Sequence, residues 1–341
     1  MEEIKVSVLV ITYNQRDYIK DCLDGILSQK TTFGFEVLVN DDCSTDGTTE
    51  ILQEYEKKYP NLVKTVYQKE NQYSKGTVRM LDDLLVPLAQ GKYIAICEGD
   101  DYWINDNKLQ MQYDYMEANP DCTFCFTDAY AYDCTINKML PFFKQFNQPK
   151  QDEDKILVEN ERITLAEMLR VSFIPTASYF YPIKNYEKFS NEYYKNIVAG
   201  DRQKTLFSIA LGYGHYIKEK TCVYRFRAKG SVMAQMLQYS PEKIFNQNVI
   251  MLEFYEDVNK TTGYKYDKEI YEATKPIKLD MILSGYDKTL INNTEYRKIY
   301  KEAPLKMRLK IFLNYKNPKL LQKLLCFKRR VVKFIKNARS K

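Results

Sequence analysis

Apolar runs and amphipathic stretches alternate through the first 135 residues of the chain. Four apolar runs rich in β-branched residues have the length of strands: Lys5–Thr12, Phe35–Asn40, Val63–Tyr67 and Tyr93–Cys97. Their continuous apolar character is typical of strands that are buried on both faces of a sheet. Helical spacing of apolar positions occurs between them, over Asn14–Ser28, after Asp46 and over Thr77–Leu88. This alternation predicts an α/β fold with a mostly parallel sheet and helices on both faces.

Polar clusters follow three of the predicted strands. They are Thr12-Tyr13-Asn14 after the first strand, Asp41-Asp42 after the second, and Glu98-Gly99-Asp100-Asp101 after the fourth. In open α/β sheets, ligands bind beyond the carboxyl ends of the strands. The three clusters are therefore expected to line one cleft.

The run Glu98–Asp101, called the acidic turn below, contains three carboxylates. Carboxylates this close repel one another, and a proton or a hard divalent cation relieves the repulsion. A cation bound by one or two carboxylates together with substrate phosphates fits this chemistry. A second interpretation is a capping turn before a helix over Asn105–Met116, where acidic residues are favourable near the N-terminus.

Two common phosphate-binding motifs are absent. The sequence has no Gly-x-x-x-x-Gly-Lys-Ser/Thr loop, and the turn after the first strand, TYNQRDY, contains no glycine. A dinucleotide fingerprint would place Gly-x-Gly-x-x-Gly there. A bound nucleotide would therefore be held by side chains and by the acidic turn, and hydride transfer is disfavoured.

Charge is unevenly distributed along the 341 residues, whose net charge is +6. Residues 301–341 contain 14 Lys+Arg and one acid, Glu302, a net charge of +13 that leaves −7 for residues 1–300. A mean hydropathy of −0.50 and the lack of an apolar run near ~18 residues argue against a spanning helix. The start, MEEIKVSVLVITYN, lacks the pattern of a signal peptide, so we expect a cytoplasmic protein with reduced cysteines.

Five segments resemble family 2 glycosyltransferases of the GT-A fold. In order they are VSVLVITYN, LVNDDCSTDGT, the Gly76–Arg79 stretch, GKYIAICEGDDYW and Ala199-Gly200-Asp201, and the resemblance covers about residues 4–230. It implies an inverting enzyme that uses a divalent cation, Mn²⁺ or Mg²⁺, to transfer a hexosyl or N-acetylhexosaminyl group from a nucleotide-diphosphate sugar, with a UDP-sugar favoured. It also implies a role in assembling surface glycans such as capsule or lipopolysaccharide, with a lipid-linked or polysaccharide acceptor.

The resemblance also implies roles for individual residues. Thr12, Tyr13 and Asn14 resemble the turn that contacts the nucleoside, Asp41 or Asp42 would accept from the base, and Arg79 would lie beside the base or diphosphate. Glu98-Gly99-Asp100 takes the place of the family's Asp-x-Asp. Asp100, and with it Asp101, would contact the metal, and Glu98 would lie near the ribose or a metal-bound water.

Asp201 resembles the catalytic base of the family, and capping of a helix over Gln203–Leu211 is the alternative role. Arg227 stands where many members have a metal-binding histidine, and its guanidinium would instead grip the diphosphate. Three residues are assigned to the acceptor or donor sugar: Trp103, Thr127 and Asp128. For Trp103 the alternative is packing in the core, and for the other two it is a capping role.

The resemblance ends near residue 235 and suggests a catalytic domain over residues 1–235. The composition of the rest predicts a helical extension over 236–300, packed on that domain, and a basic tail over 301–341. On a helical wheel, Lys319–Arg339 separates apolar from basic residues, which is typical of a helix lying in an anionic membrane interface. Packing of this helix on the catalytic domain is the alternative. Nucleic-acid binding would leave the apolar stripe unused. We therefore expect a peripheral protein on the inner face of the cell membrane.

Two other function classes share part of this pattern. A sugar-nucleotide nucleotidyltransferase has an α/β fold and paired acids, but it normally needs a glycine- and basic-rich loop near the N-terminus, which this chain lacks. A non-catalytic nucleotide-binding protein would have no need of acids clustered at strand ends, because acids repel phosphate.

Overall fold

The computed structural model describes residues 3–76, 78–143, 160–171, 173–185, 200–228, 239–317, 319–320 and 323. The chain divides into two compact units. Unit 1 contains residues 1–237 and 258–269, and unit 2 contains residues 238–257 and 270–341. The division of function at residues 235 and 300 stays a prediction.

Unit 1 is built on one sheet. Its strands are β1 (Ile4–Thr12), β2 (Gly34–Asp41), β3 (Val63–Tyr67), β4 (Tyr93–Glu98), β5 (Tyr102–Trp103), β6 (Cys122–Asp133), β7 (Lys138–Pro141), β8 (Arg162–Ile163), β9 (Phe180–Pro182) and β10 (Tyr213–Phe226). The order is β3-β2-β1-β4-β9-β6-β10-β5, with β7 on β6 and β8 on β10. The longest ladders, β1 with β2 and β4 and β6 with β10, are parallel, whereas β9 runs antiparallel to both of its neighbours. The predicted α/β class with a mostly parallel sheet is confirmed.

The core explains why the first strand reads as a continuous apolar run. Side chains of successive strand residues point to opposite faces, yet Val8, Leu9 and Val10 are all completely buried. Both faces of the sheet are therefore covered. On one of them, Ile19, Cys22, Leu23 and Ile26 form the buried face of the first helix.

Helices of unit 1 connect the strands. They are α1 (Ile19–Leu27), α2 (Thr48–Lys58), α3 (Gln72–Lys75), α4 (Lys108–Ala118), α5 (Leu165–Met168) and α6 (Asp201–Ala210). The first helix begins at Ile19, not at the predicted Asn14, because Asn14 adopts a left-handed conformation (φ 52°) that an α-helix excludes.

The predicted helix over Thr77–Leu88 is wrong in type. The chain forms a π-helix over Met80–Leu85 and a 3₁₀ turn over Val86–Leu88, and Thr77 lies outside the described residues. Pro87 has no amide hydrogen for an i→i−4 bond, so a regular α-helix cannot run through it.

The described residues after β10 are mainly helical. Its elements are α7 (Pro241–Thr261), α8 (Asp267–Ser284), a 3₁₀ turn (Lys288–Asn292), α9 (Thr294–Glu302) and α10 (Leu305–Lys316). Met281, Ile282, Ile299 and Ile311 are buried in unit 2. In the part of the chain that the structure describes, no helix is both long and apolar enough to cross a membrane. Apart from Lys319, Leu320 and Lys323, the predicted tail helix lies outside the described residues.

Candidate active site

The ends of three adjacent strands bring the polar clusters together. Thr12 pairs with Asp41 across β1 and β2, and Ile11 pairs with Glu98 across β1 and β4. Main-chain hydrogen bonds continue past the strand ends, from Asp42 N–H to Thr12 O (3.0 Å) and from Gly99 N–H to Ile11 O (2.9 Å). The predicted convergence of the clusters is confirmed.

Gly99 lies where the acidic turn contacts the loop after β1, called the first-strand loop below. A Cβ atom at this position would lie 2.4 Å from Oε1 of Gln15 and 2.9 Å from Oγ1 of Thr12. The flexible end of Gln15 can move away, but Cβ of Thr12, also 2.9 Å from this position, lies next to the main chain and cannot move as freely. Glycine therefore allows the turn and the loop to approach each other this closely.

The loops after β1 and β2 are tied to each other by side-chain hydrogen bonds. The N–H of Asn14 donates to Oγ of Ser44 (2.9 Å), and the N–H of Thr45 donates to Oδ1 of Asn14 (2.8 Å). Tyr13 is 45% exposed on this loop, and Oγ1 of Thr12 is buried without a hydrogen-bond partner among the described residues. The exposed Tyr13 ring is suited to stack on a ligand. The Thr12 hydroxyl would reach a ligand only if the loop moved.

Asp41 and Asp42 hold these loops in place. Asp41 accepts from the N–H of Ser44 (3.1 Å) and the hydroxyl of Thr49 (2.5 Å). Asp42 accepts from the N–H groups of Gln72 (2.7 Å) and Tyr73 (3.0 Å) at the start of α3, and burial raises its pKa. Both carboxylates are buried and engaged with the protein, so in this structure they hold the loops and are not open to a nucleoside.

Arg225 of β10 organises the acidic turn. Its N–H donates to Oδ1 of Asp101 (2.8 Å), and its guanidinium donates to the carbonyl of Asp100 (2.8 Å) and pairs with Asp21. The guanidinium carbon lies 5.0 Å from the ring centre of Tyr18 and 4.4 Å from that of Tyr102. Asp101 is buried, and through Oδ1 it ties the turn to β10, whereas its Oδ2 has no hydrogen-bond partner among the described residues.

Carboxylates of the acidic turn have raised pKa values. Burial is the main cause for Glu98, and the negative charges of Asp201, Asp100 and Asp101 add to it. Burial also raises the pKa of Asp100, against the opposing positive charge of Arg225. Glu98 and Asp100 remain partly exposed. Ionising these carboxylates is therefore unfavourable, and a bound cation would offset that free-energy cost.

The donor set fits a cation that arrives with a nucleotide. Within the described residues, no three His, Cys, Asp or Glu side chains converge on a metal position. Mg²⁺ commonly takes one or two carboxylates and completes its shell with phosphate oxygens and water. Glu98 and Asp100 can supply those carboxylates.

Asp201 lies at the start of α6, close enough to the acidic turn for its charge to raise the pKa of Glu98. It is the first residue of the helix, and Gly200 precedes it, so Asp201 is not the N-cap of a helix over Gln203–Leu211. Burial raises the pKa of Asp201, opposed by the charge of Lys204 and a hydrogen bond from Thr176. A carboxylate with a raised pKa next to a site of negative charge is suited to accept a proton.

The predicted arginines lie in ion pairs. Arg79 contacts Asp83 (2.7 Å) and Asp82 (3.5 Å), and Asp82 also contacts Lys204 (3.2 Å). Arg227, in a left-handed conformation (φ 61°) just after β10, pairs with Asp133 and is half exposed. A phosphate that binds either guanidinium would therefore compete with the carboxylate already paired to it.

Two of the three residues assigned to the sugar or acceptor are buried. The indole N–H of Trp103 donates to the carbonyl of Ala177 (2.8 Å), and the ring packs in the core. Thr127 is buried and shares a hydrogen bond with Thr221 (2.6 Å). These two side chains do not reach a ligand. Asp128 is partly exposed and pairs with Lys220 (2.9 Å).

Sequence reasoning missed Arg225, Lys204 and Asp82 as parts of the site. Lys204 could have been found from its position one helical turn after Asp201. Arg225 carried a weaker signal, a charged residue within the strand pattern of YRF.

Comparison with known proteins shows what this chain is similar to. The sequence model of glycosyl transferase family 2 matches residues 7–172. TuaG of Bacillus subtilis, described as a putative teichuronic acid biosynthesis glycosyltransferase, is 39% identical over 122 residues, which is 36% of this chain and 45% of TuaG. The chain spans 34% to 45% of the length of the curated relatives that are 39% to 41% identical to it.

Solved structures share the fold over most of the chain. Staphylococcus aureus TarS 1–349 in complex with UDP-GlcNAc superposes with a TM-score of 0.59 and 16% identity, covering 92% of this chain and 89% of that one. The mannosyltransferase PcManGT from Pyrobaculum calidifontis, in complex with GDP-Man and Mn²⁺, gives a TM-score of 0.53 and 14% identity, covering 92% and 88%. At such identities the likeness shows a common fold alone.

Proposed function

Because this chain belongs to glycosyl transferase family 2, we propose that it is an inverting, cation-dependent enzyme. It transfers a sugar from a nucleotide-diphosphate sugar to an acceptor hydroxyl in the synthesis of a cell-surface polysaccharide. One observation carries the proposal: Asp201 lies close enough to the acidic turn for its charge to raise the pKa of Glu98, although the two are far apart in sequence. A base next to a cation-binding turn is what such a transfer requires.

The donor is assigned to the loops after β1 and β2. Tyr13 offers an exposed ring, Thr12 has an unused hydroxyl that would reach a ligand only if the loop moved, and Asn14, Asp41 and Asp42 hold the loops that carry them. A UDP-sugar is the favoured donor, and TarS, which has the same fold, is described with UDP-GlcNAc.

Glu98 and Asp100 would hold a divalent cation together with the diphosphate. Mn²⁺ or Mg²⁺ bound there would neutralise charge that develops on the departing nucleoside diphosphate. Arg79 and Arg227 would grip the diphosphate in a bidentate manner, in competition with their ion pairs to Asp83 and Asp133. Asp101 supports the turn by accepting a hydrogen bond from the main-chain N–H of Arg225, and it is not a cation ligand in this proposal.

Asp201 acts as the general base. Its carboxylate takes the proton from the acceptor hydroxyl while the hydroxyl oxygen bonds to the anomeric carbon. The bond between that carbon and the diphosphate oxygen breaks on the opposite face, so the configuration inverts. Burial raises the pKa of Asp201, which strengthens it as a base when it is ionised.

The acceptor is a polysaccharide or a lipid-linked precursor, in keeping with the printed description of TuaG. A lipid-linked acceptor lies at a membrane surface, and the amphipathic pattern of Lys319–Arg339 would keep the enzyme there. We therefore place the protein at the inner face of the cell membrane, as a peripheral protein.

Thermal unfolding in the presence of UDP, GDP, dTDP or CMP, each with and without Mn²⁺, tests the proposal. A ligand stabilises by RT ln(1 + [L]/Kd), so the correct nucleotide should raise Tm most, and Mn²⁺ should increase that shift. Asp100→Ala should abolish the Mn²⁺-dependent part. If none of the four nucleotides raises Tm, with or without Mn²⁺, the proposed activity is wrong.

A further inference from the structure

Helix α10 has an apolar stripe on its exposed side. Leu305, Leu309 and Phe312 are 69%, 53% and 53% exposed, and their spacing of four and three residues places them on one face of the helix. Ile311 points away from this stripe and is buried. The helix therefore already packs in unit 2 through one face and carries a second apolar face outside.

Positive charge surrounds the α10 stripe. Lys306 and Lys310 lie in the same helix, Lys316 ends it, and Lys319 follows. From residue 303 to the last residue the sequence has 13 Lys+Arg and no acid. Helices that lie in an anionic membrane interface typically carry a large apolar residue on each turn, flanked by lysines.

The same charge disfavours two other occupants. A second copy of the stripe would bring its own lysines against these lysines, and like charges across an interface are unfavourable. Residues 324–341 contain seven Lys+Arg and no acid, so they are repelled from this face as well. An anionic lipid surface has the opposite charge and an apolar interior.

We propose that the α10 stripe, Leu305, Leu309 and Phe312, inserts into the headgroup region of an anionic lipid bilayer. The lysines around the stripe then lie against lipid phosphates. This adds a lipid contact in α10 to the one predicted for Lys319–Arg339, and the two act together. The inference rests on the proposed function only for its purpose, which is to bring the active site to a lipid-linked acceptor.

Co-sedimentation of the full chain with vesicles tests the contact. We expect binding to vesicles that contain phosphatidylglycerol and weak binding to pure phosphatidylcholine. The double variant Leu309→Ser/Phe312→Ser should lower the partition coefficient about tenfold or more, since two large apolar side chains are lost. The matched control is Leu88→Ser/Ile136→Ser, which changes side chains of unit 1 that are 50% and 61% exposed. Equal binding by wild type and stripe variant, or an equal loss in the control, would overturn the proposal.

A second variant, Phe312→Trp, keeps a large aromatic side chain, so it tests insertion without the risk that the protein fails to fold. Trp103, the only tryptophan, is buried, so its fluorescence is a constant background for an indole introduced by Phe312→Trp. Brominated anionic lipids should quench Phe312→Trp well beyond the wild type, and equal quenching would contradict insertion.

Light scattering during gel filtration separates self-association from lipid binding. A dimer that dissociates in Leu309→Ser/Phe312→Ser, without vesicle binding by the wild type, would show an interface between copies and overturn the proposal. Nucleotide-induced Tm shifts should be equal in the wild type and the stripe variant. Their absence in the wild type would instead contradict the proposed activity, whatever the vesicles show.

Discussion

The main-chain N–H of Arg225 donates a 2.8 Å hydrogen bond to Oδ1 of Asp101, a residue 124 positions earlier in the sequence. This bond joins β10 to the acidic turn. Oδ2 of Asp101 is buried without a hydrogen-bond partner among the described residues, and the carboxylate of the neighbouring Asp100 is partly exposed. Adjacent aspartates thus have different surroundings.

Replacing Asp101 should therefore mainly reduce stability. Asp101→Ala leaves the buried N–H of Arg225 without an acceptor, which costs about 1–3 kcal/mol. Asp101→Asn keeps an acceptor oxygen and should cost less. Urea unfolding measures both, and Asp100→Ala is the matched control, with a smaller change in stability but a loss of Mn²⁺-dependent nucleotide binding. Equal stability of Asp101→Ala and wild type would contradict the anchoring role.

Replacing Asp201 should reduce turnover and leave donor binding intact. Asp201→Asn removes the proton acceptor with little change in shape, so the transfer rate should fall by about 10²-fold or more. Initial rates with the identified donor and a soluble acceptor measure the loss, and calorimetry measures nucleotide affinity. Retention of more than about a tenth of the rate would mean that another group accepts the proton.

The pH dependence of transfer should report the ionisation of Asp201. Only the ionised carboxylate accepts a proton, so the rate falls as pH drops through its pKa. Burial raises that pKa, and the acid limb should lie above the range of an ordinary aspartate. Lys204 lowers the same pKa, so Lys204→Met should move the acid limb to higher pH. Lys20→Met, at an exposed position of α1, is the control. A limb that moves to lower pH in Lys204→Met, or equally in the control, would contradict this account.

Gly99→Ala should separate the acidic turn from the first-strand loop. The new methyl group would collide with the flexible end of Gln15, which can rotate away, and with Cβ of Thr12 at 2.9 Å, which moves only if the turn or the loop shifts. We expect nucleotide affinity to fall about tenfold or more. Forcing an extra methyl group into a packed contact typically costs about 1–3 kcal/mol, and about 1.4 kcal/mol corresponds to tenfold in affinity. Adding Gln15→Ala removes the closer contact, so the double variant should recover part of the affinity. A single variant that binds nucleotide normally would show that the close approach is unnecessary.

How far the sequence predicts the fold depends on the range of the interactions. The strands β1 to β4 are buried on both faces, so their apolar runs show them directly, and Val63–Tyr67 is predicted with its observed bounds. Strand β9 has three residues and runs against both neighbours, and no local pattern marks such a reversal. The π-helix over Met80–Leu85 was missed because its apolar residues repeat much as in an α-helix.

The same distinction holds for the candidate site. The polar clusters at the strand ends were predictable because parallel strands end at one edge. Burial of Trp103 was not, since it depends on the carbonyl of Ala177, 74 residues away. The role of Arg225 likewise depends on partners in distant segments, Asp21 and Asp101.

The long parallel ladder between β6 and β10 has a consequence for dissecting the enzyme into fragments. The match to the family model ends at residue 172. Strand β10, which pairs with β6 along its length, begins only at Tyr213. A fragment cut at residue 172 would keep the loops after β1 and β2 but expose the unpaired edge of β6, which favours aggregation. It would also lack Arg225 and Asp201. The stretch that the family model matches is therefore shorter than the smallest piece expected to fold and catalyse.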